Sequence, residues 1–157
     1  MTQKGTAFLS LGSNLGDRLM YLREGLRYLE RQESIELAAV SSVYETDPVG
    51  KIEQPVFLNI AVRLNTTLLP LQLLYLCQEA ENHFLRDRSE HWGPRTLDID
   101  LLTYDDLVLD TPELTLPHPH LTDREFVQIP LQELATGEIG CSIHVRPLYT
   151  NWYHPIG

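Results

Sequence analysis

Apolar side chains along this chain change period several times. Ala7-Phe8-Leu9-Ser10-Leu11 is a short apolar run followed by Gly12-Ser13-Asn14, which predicts a strand closed by a turn. Leu19, Leu22, Leu26 and Leu29 then recur at spacings of three and four, with arginines and glutamates between them. That is the pattern of an amphipathic helix, and Asp17 stands near its positive end. Residues 35–44 predict a second strand, broken by Thr46-Asp47-Pro48-Val49-Gly50. Phe57 to Asn65 alternates and predicts a third. A second helix is predicted from Leu69, with Pro70 in its first turn, through Leu73, Leu74, Leu76, Cys77 and Ala80 to Phe84. Residues 85–95 are polar and charged and break at Gly93-Pro94; Thr96 to Tyr104 then predicts a fourth strand. The remainder is proline-rich, with a short hairpin expected near Asp105-Asp106 and a short helix after Asp123.

The order strand, helix, strand, strand, helix, strand is the split βαβ pattern. It predicts an α+β, ferredoxin-like two-layer sandwich, an antiparallel sheet with helices packed on it. No repeat or linker interrupts it, so residues 1–157 are expected to form a single domain. Residues 137–157 carry Cys141, His144, Trp152 and His154 in no common metal spacing; packing or the covering of a sheet edge is expected of them.

Composition narrows the function. The chain has 157 residues, 43% hydrophobic and 22% charged. No apolar run reaches the roughly 18 residues of a membrane span. The first residues show no signal-peptide pattern, and the two cysteines form no motif, so a cytoplasmic protein is expected. A net charge of -10 argues against a nonspecific nucleic-acid binder. It leaves room for a local cation cluster, and Arg86, Arg88 and Arg95 form one in a chain with only 12 Lys and Arg. Arginine forks suit phosphate oxygens; a solvated charged loop is the alternative for the cluster taken alone.

The most informative segment is Trp92-Gly93-Pro94-Arg95-Thr96-Leu97-Asp98-Ile99-Asp100-Leu101-Leu102. On a strand Leu97, Ile99 and Leu101 face one way, and Asp98 and Asp100 the other. Two carboxylates on one face invite a hard cation such as Mg²⁺, which takes few protein ligands and leaves positions for water and phosphate. A solvated acidic face is the alternative for the pair taken alone. No Walker, kinase-type or Rossmann glycine loop is present, so a nucleotide must be held by metal, arginines and strand or loop edges.

The same segment resembles the signature of the 6-hydroxymethyl-7,8-dihydropterin pyrophosphokinases. Further blocks resemble the family in order, from about residue 7 to 135: Leu11-Gly12-Ser13-Asn14-Leu15-Gly16-Asp17, Ser41 to Gly50, Gln54-Pro55-Val56-Phe57-Leu58-Asn59, and Leu116-Pro117-His118-Pro119-His120 with Arg124-Glu125-Phe126-Val127. The resemblance implies a ferredoxin-like fold and ATP-dependent transfer of diphosphate to a pterin hydroxymethyl group, with AMP leaving. It implies two Mg²⁺ on Asp98 and Asp100, with Arg86, Arg88, Arg95 and Arg124 against phosphate. His118, Glu81, Gln78, Leu101 and Trp92 would lie at the nucleotide. Phe57 and Phe126 would stack on the pterin, Thr46, Val49 and Asn59 would line its hydrogen-bonding edge, and Trp92 would close over the site. The loop 85–93 is expected to order over bound ATP and pterin. Partners are these small molecules, with no nucleic acid or membrane, and a monomer is expected.

Departures from the commonest family pattern are Asp47 for proline, Phe57 for tyrosine, His91 for arginine, and Pro119 where an aromatic occurs. No general base is identified. Two rival readings remain at this point: a Mg²⁺-dependent phosphodiesterase built on the acid pair, and a non-catalytic ferredoxin-like binding module.

Overall fold

The structure, a computed structural model, describes residues 4–47, 56–84 and 96–156. Strand β1 (Gly5–Ser13) leads into helix α1 (Arg18–Glu30). The helix begins where the Asp17 carboxylate accepts the Met20 backbone N–H at 3.1 Å, satisfying one of the free donors of its first turn. β2 (Ile35–Val40) and β3 (Val43–Thr46) follow, then β4 (Phe57–Thr66), helix α2 (Pro70–His83) and β5 (Asp98–Tyr104). β6 (Leu109–Asp110), β7 (Thr115–Leu116), helix α3 (Glu125–Thr136) and β8 (Val145–Tyr149) complete the chain.

The main sheet runs β5-β1-β4-β3-β8, with β2 also on β4, and every pairing is antiparallel. With β2 and β3 taken as one interrupted strand, this is the ferredoxin-like order. One face carries Ala7, Leu9 and Leu11 of β1, Leu58, Ile60, Val62 and Leu64 of β4, and Ile99 and Leu101 of β5. These bury against Leu22, Leu26 and Leu29 of α1 and Leu73, Cys77 and Ala80 of α2. At about 1.5–3 kcal/mol for each fully buried large aliphatic, this layer is the main driving force for the fold. The opposite face carries Ser10, Gly12, Tyr44, Thr46, Asn59, Ala61, Asp98 and Asp100, and α3 contacts β3 and β4. Among the described residues no helix is long and apolar enough to cross a membrane.

Three sequence expectations need correction. Gly12 and Ser13 do not close a turn; they lie inside β1, because Gly12 is paired on both sides, with Asn59 and Asp98. The single strand expected over 35–44 is two strands. At the break the Ser41 hydroxyl, rather than a strand carbonyl, accepts the Ala61 N–H at 2.9 Å, a local side-chain bond that interrupts the ladder. The hairpin is not at Asp105-Asp106, where β5 merely turns out of the sheet with Asp105 at φ 50. Its strands are β6 and β7, Leu109 opposite Leu116. The C-terminal segment does cover an edge: β8 pairs with β3, and Trp152 Nε1 donates to Ser41 O at 2.8 Å.

Candidate active site

The face of the sheet away from α1 and α2 floors a cleft of about 600 Å³, walled by α3 and by the segment ahead of β8. Register decides what stands together. Asp98, Gly12, Asn59 and Tyr44 form one row across four strands, and Asp100, Ser10 and Ala61 form the next. Asp98 and Asp100 thus share the floor with Asn59, although some 40 residues of chain separate them.

The acid pair is braced from behind. Ile99, between the two aspartates, points its side chain into the core, and its N–H donates to Glu81 Oε2 of α2 at 2.7 Å. Glu81 therefore holds the strand that carries the acids. His118 stands beside Asp100, Nε2 to Oδ1 at 3.9 Å. Its Nδ1 accepts the His120 N–H at 3.1 Å, so the neutral ring carries its proton on Nε2, facing the carboxylate. Burial pushes the His118 pKa down; Asp100 opposes this, while Arg124 and His120 add to it. Asp100 and His118 also edge a smaller pocket of about 220 Å³, walled by Leu74, Ile99, Leu101 and Leu114.

At the other end, Asn59 is buried and its Nδ2 donates to Thr46 Oγ1 at 2.8 Å. A Cβ on Gly12 would lie 2.7 Å from Asn59 Oδ1, so the carboxamide lies across the glycine. Phe57 enters from β4 and Phe126 from α3, with the Arg124 guanidinium 5.7 Å from the Phe126 ring centre. Asp47, at the rim, is held by Arg146 Nη2 at 2.8 Å, and its N–H donates to His144 O at 3.0 Å. The Arg146 hydrogen bonds keep the Asp47 carboxyl below its usual range.

Of the residues singled out in the sequence, Asp98, Asp100, Arg124, Thr46, Phe57, Asn59 and Phe126 line this cleft. His118 and Leu101 border the smaller pocket and Glu81 lies behind the acids. Gln78 is not among the residues lining either pocket; it lines a separate groove with Gln32, Ser34 and Tyr75. Arg86, Arg88, Trp92, Arg95, Val49 and His91 lie outside the described residues. Ser10, Gly12, His144 and Val145 also line the cleft and were not anticipated. Alternation in β1 could have flagged Ser10 and Gly12; nothing in the sequence points to the tail residues.

The profile of the family 7,8-dihydro-6-hydroxymethylpterin-pyrophosphokinase (HPPK) matches residues 8–136. The chain belongs to this family. It is 45% identical over 128 residues to the 2-amino-4-hydroxy-6-hydroxymethyldihydropteridine pyrophosphokinase of Bacillus subtilis, covering 82% of this chain and 77% of that one. The enzyme of the same name from Aquifex aeolicus is 40% identical over 91% of this chain and 88% of its own. Among solved structures, Plasmodium falciparum HPPK-DHPS aligns with a TM-score of 0.61 at 15% identity, over 80% of this chain and 41% of that one, a likeness of fold. All five motif blocks fall within the HPPK match.

Proposed function

We propose that this chain moves diphosphate from ATP to the hydroxymethyl group of 6-hydroxymethyl-7,8-dihydropterin, forming AMP, a step of folate synthesis. The observation that carries this reading is the shared floor. One sheet face sets two hard-oxygen ligands beside a buried carboxamide and two phenyl rings. A flat heterocycle between rings from β4 and α3 fits Phe57 and Phe126. Asn59 and Thr46 offer donors and acceptors to its polar edge, and a ring lacking those groups would leave them unpaired. The reacting hydroxymethyl group would then lie toward Asp98 and Asp100.

The cleft's own charge tests the need for Mg²⁺. Asp98, Asp100, Asp123 and Glu125 face it against a single guanidinium, Arg124, among the described residues. A cation at the acids would offset that field for a triphosphate. Among the described residues no group of three or more His, Cys, Asp or Glu is placed to hold a metal, so phosphate oxygens and water would complete the shell around Asp98 and Asp100. Bound there, two Mg²⁺ would neutralise the triphosphate and polarise its oxygens. The protein positions and neutralises; it needs no covalent intermediate. Arg124 and neutral His118, with its Nε2–H toward Asp100, stand where phosphate would arrive, and the smaller pocket's apolar wall suits a purine. Arg86, Arg88 and Arg95 would supply further cations, with Trp92 and Val49 toward the ligands. We place the enzyme, as one domain and a monomer, in the cytoplasm.

Supplying ATP, Mg²⁺ and the hydroxymethyl dihydropterin should yield AMP and the pterin diphosphate in equal amounts. ADP as product, or phosphodiester hydrolysis without pterin, would overturn the assignment.

A further inference from the structure

Resting on that reading, we infer that Glu133 is a positioning residue for the pterin, setting the gap between the wall that carries Phe126 and the floor that carries Thr46, Asn59 and Phe57. Helix α3 touches the sheet through few apolar groups; only Val127 and Pro130 of its residues are buried. Its polar hold is concentrated at one residue. The Glu133 carboxylate accepts the Ser42 N–H at 3.1 and 3.0 Å, the Ser42 hydroxyl at 3.0 Å and the Tyr44 hydroxyl at 2.6 Å. Charge-assisted bonds of this kind are about twice as strong as neutral ones, and they are directional where apolar contact is not.

The location matters more than the strength. Ser42 is the break between β2 and β3, and Thr46 ends β3 four residues on. Phe126 lies seven residues before Glu133, roughly two helical turns or about 10 Å along α3. Glu133 thus stands too far along α3 to meet a ligand held at Phe126, yet it fixes both segments whose ends do. The same break is pinned from outside by Trp152 through Ser41 O. The Ser42 N–H and the Ser42 and Tyr44 hydroxyls all donate to Glu133, so an amide nitrogen placed there would face N–H and O–H groups.

The test uses Glu133→Gln, Tyr44→Phe and Ser42→Ala in the full chain. Three quantities are measured: Kd for the pterin with a nonhydrolysable ATP analogue present, Kd for that analogue alone, and amide exchange of residues 125–136 without ligands. Glu133→Gln should weaken the pterin about tenfold and Tyr44→Phe about fivefold, on the scale of one or two lost hydrogen bonds. The analogue should change by less than about twofold, with faster exchange in α3. Unchanged pterin affinity, or equal loss for both ligands, would overturn the inference. If Glu133→Gln does not fold, Tyr44→Phe decides. If the unmodified protein makes no AMP, the pyrophosphokinase reading fails by itself; unchanged α3 exchange in the variants would separately refute the clamp.

Discussion

Replacing Gly12 by alanine adds one methyl group between Asp98 and Asn59, where the acid row meets the proposed pterin edge. Gly12 is not among the residues with positive φ, so its backbone accepts alanine without strain and the effect is steric alone. The new Cβ would stand 2.7 Å from Asn59 Oδ1. Ordinary contact begins near 3.4 Å, so the carboxamide must withdraw by several tenths of an ångström. A free side-chain end would do so cheaply. Asn59 is buried, and its nitrogen is tied to Thr46 at 2.8 Å, so withdrawal loses that bond or strains it. One lost hydrogen bond between buried groups costs about 1–3 kcal/mol, and the same displacement misaligns the edge proposed to read the pterin. Gly12→Ala should therefore weaken pterin binding by about ten- to a hundredfold, or about 1.4–2.8 kcal/mol. The nucleotide analogue should bind within a factor of about two, since the clash is local. Calorimetry with each ligand measures this, and a double-mutant cycle assigns the cause: in an Asn59→Ala background the added methyl meets no carboxamide and should cost nothing further. Normal pterin affinity in Gly12→Ala, or an undiminished cost in the Asn59→Ala background, would refute the argument.

Asp98→Asn and Asp100→Asn should each lower turnover by at least about a hundredfold with the fold retained, the scale of removing one electrostatic stabiliser of a transition state; near-normal rates at saturating Mg²⁺ in both would sink the metal assignment. Phe126→Ala should weaken the pterin by about 1–3 kcal/mol, by analogy with base–aromatic stacking, and leave nucleotide binding nearly intact; equal losses would mean that the wall had collapsed. His118 is held below its ordinary value of 6.5, so the folded state disfavours its charged form. Its contribution to stability is complete above that value and is lost as pH falls through the lowered one. Melting temperatures between about pH 7.5 and 5 should fall less steeply in His118→Gln, and an identical acid slope would contradict this.

Much of the architecture was legible in the sequence because local physics suffices for it. Leucines at spacings of three and four can bury together only on a helix, and α1 is found at Arg18–Glu30 around them. Alternation in Asp98-Ile99-Asp100-Leu101 sends acids and aliphatics to opposite faces of a strand, and β5 does so. Element order then yields the ferredoxin-like sheet, since two helices can cover only one face of it. The motif blocks, matched as a set, marked most residues of the cleft without any coordinates.

Register and long-range pairing were beyond local reading. Nothing in Leu11-Gly12-Ser13-Asn14 tells a turn from a strand interior; the pairing of Gly12 with both Asn59 and Asp98 decides it, and only then does the missing Cβ acquire a purpose. Ser41 and Ser42 read as strand residues until Ala61, Glu133 and Trp152 converge on them from 20, 91 and 111 residues away. Gln78 lies three residues before Glu81 on the same helix, yet Glu81 is bonded to β5 while Gln78 lines a separate groove. The tail has no motif because its function is geometric: β8 completes an edge, and Arg146 and His144 hold Asp47 at the rim of the cleft. Such contacts depend on which segments the sheet brings side by side, a property of the closed fold that no stretch of chain carries alone.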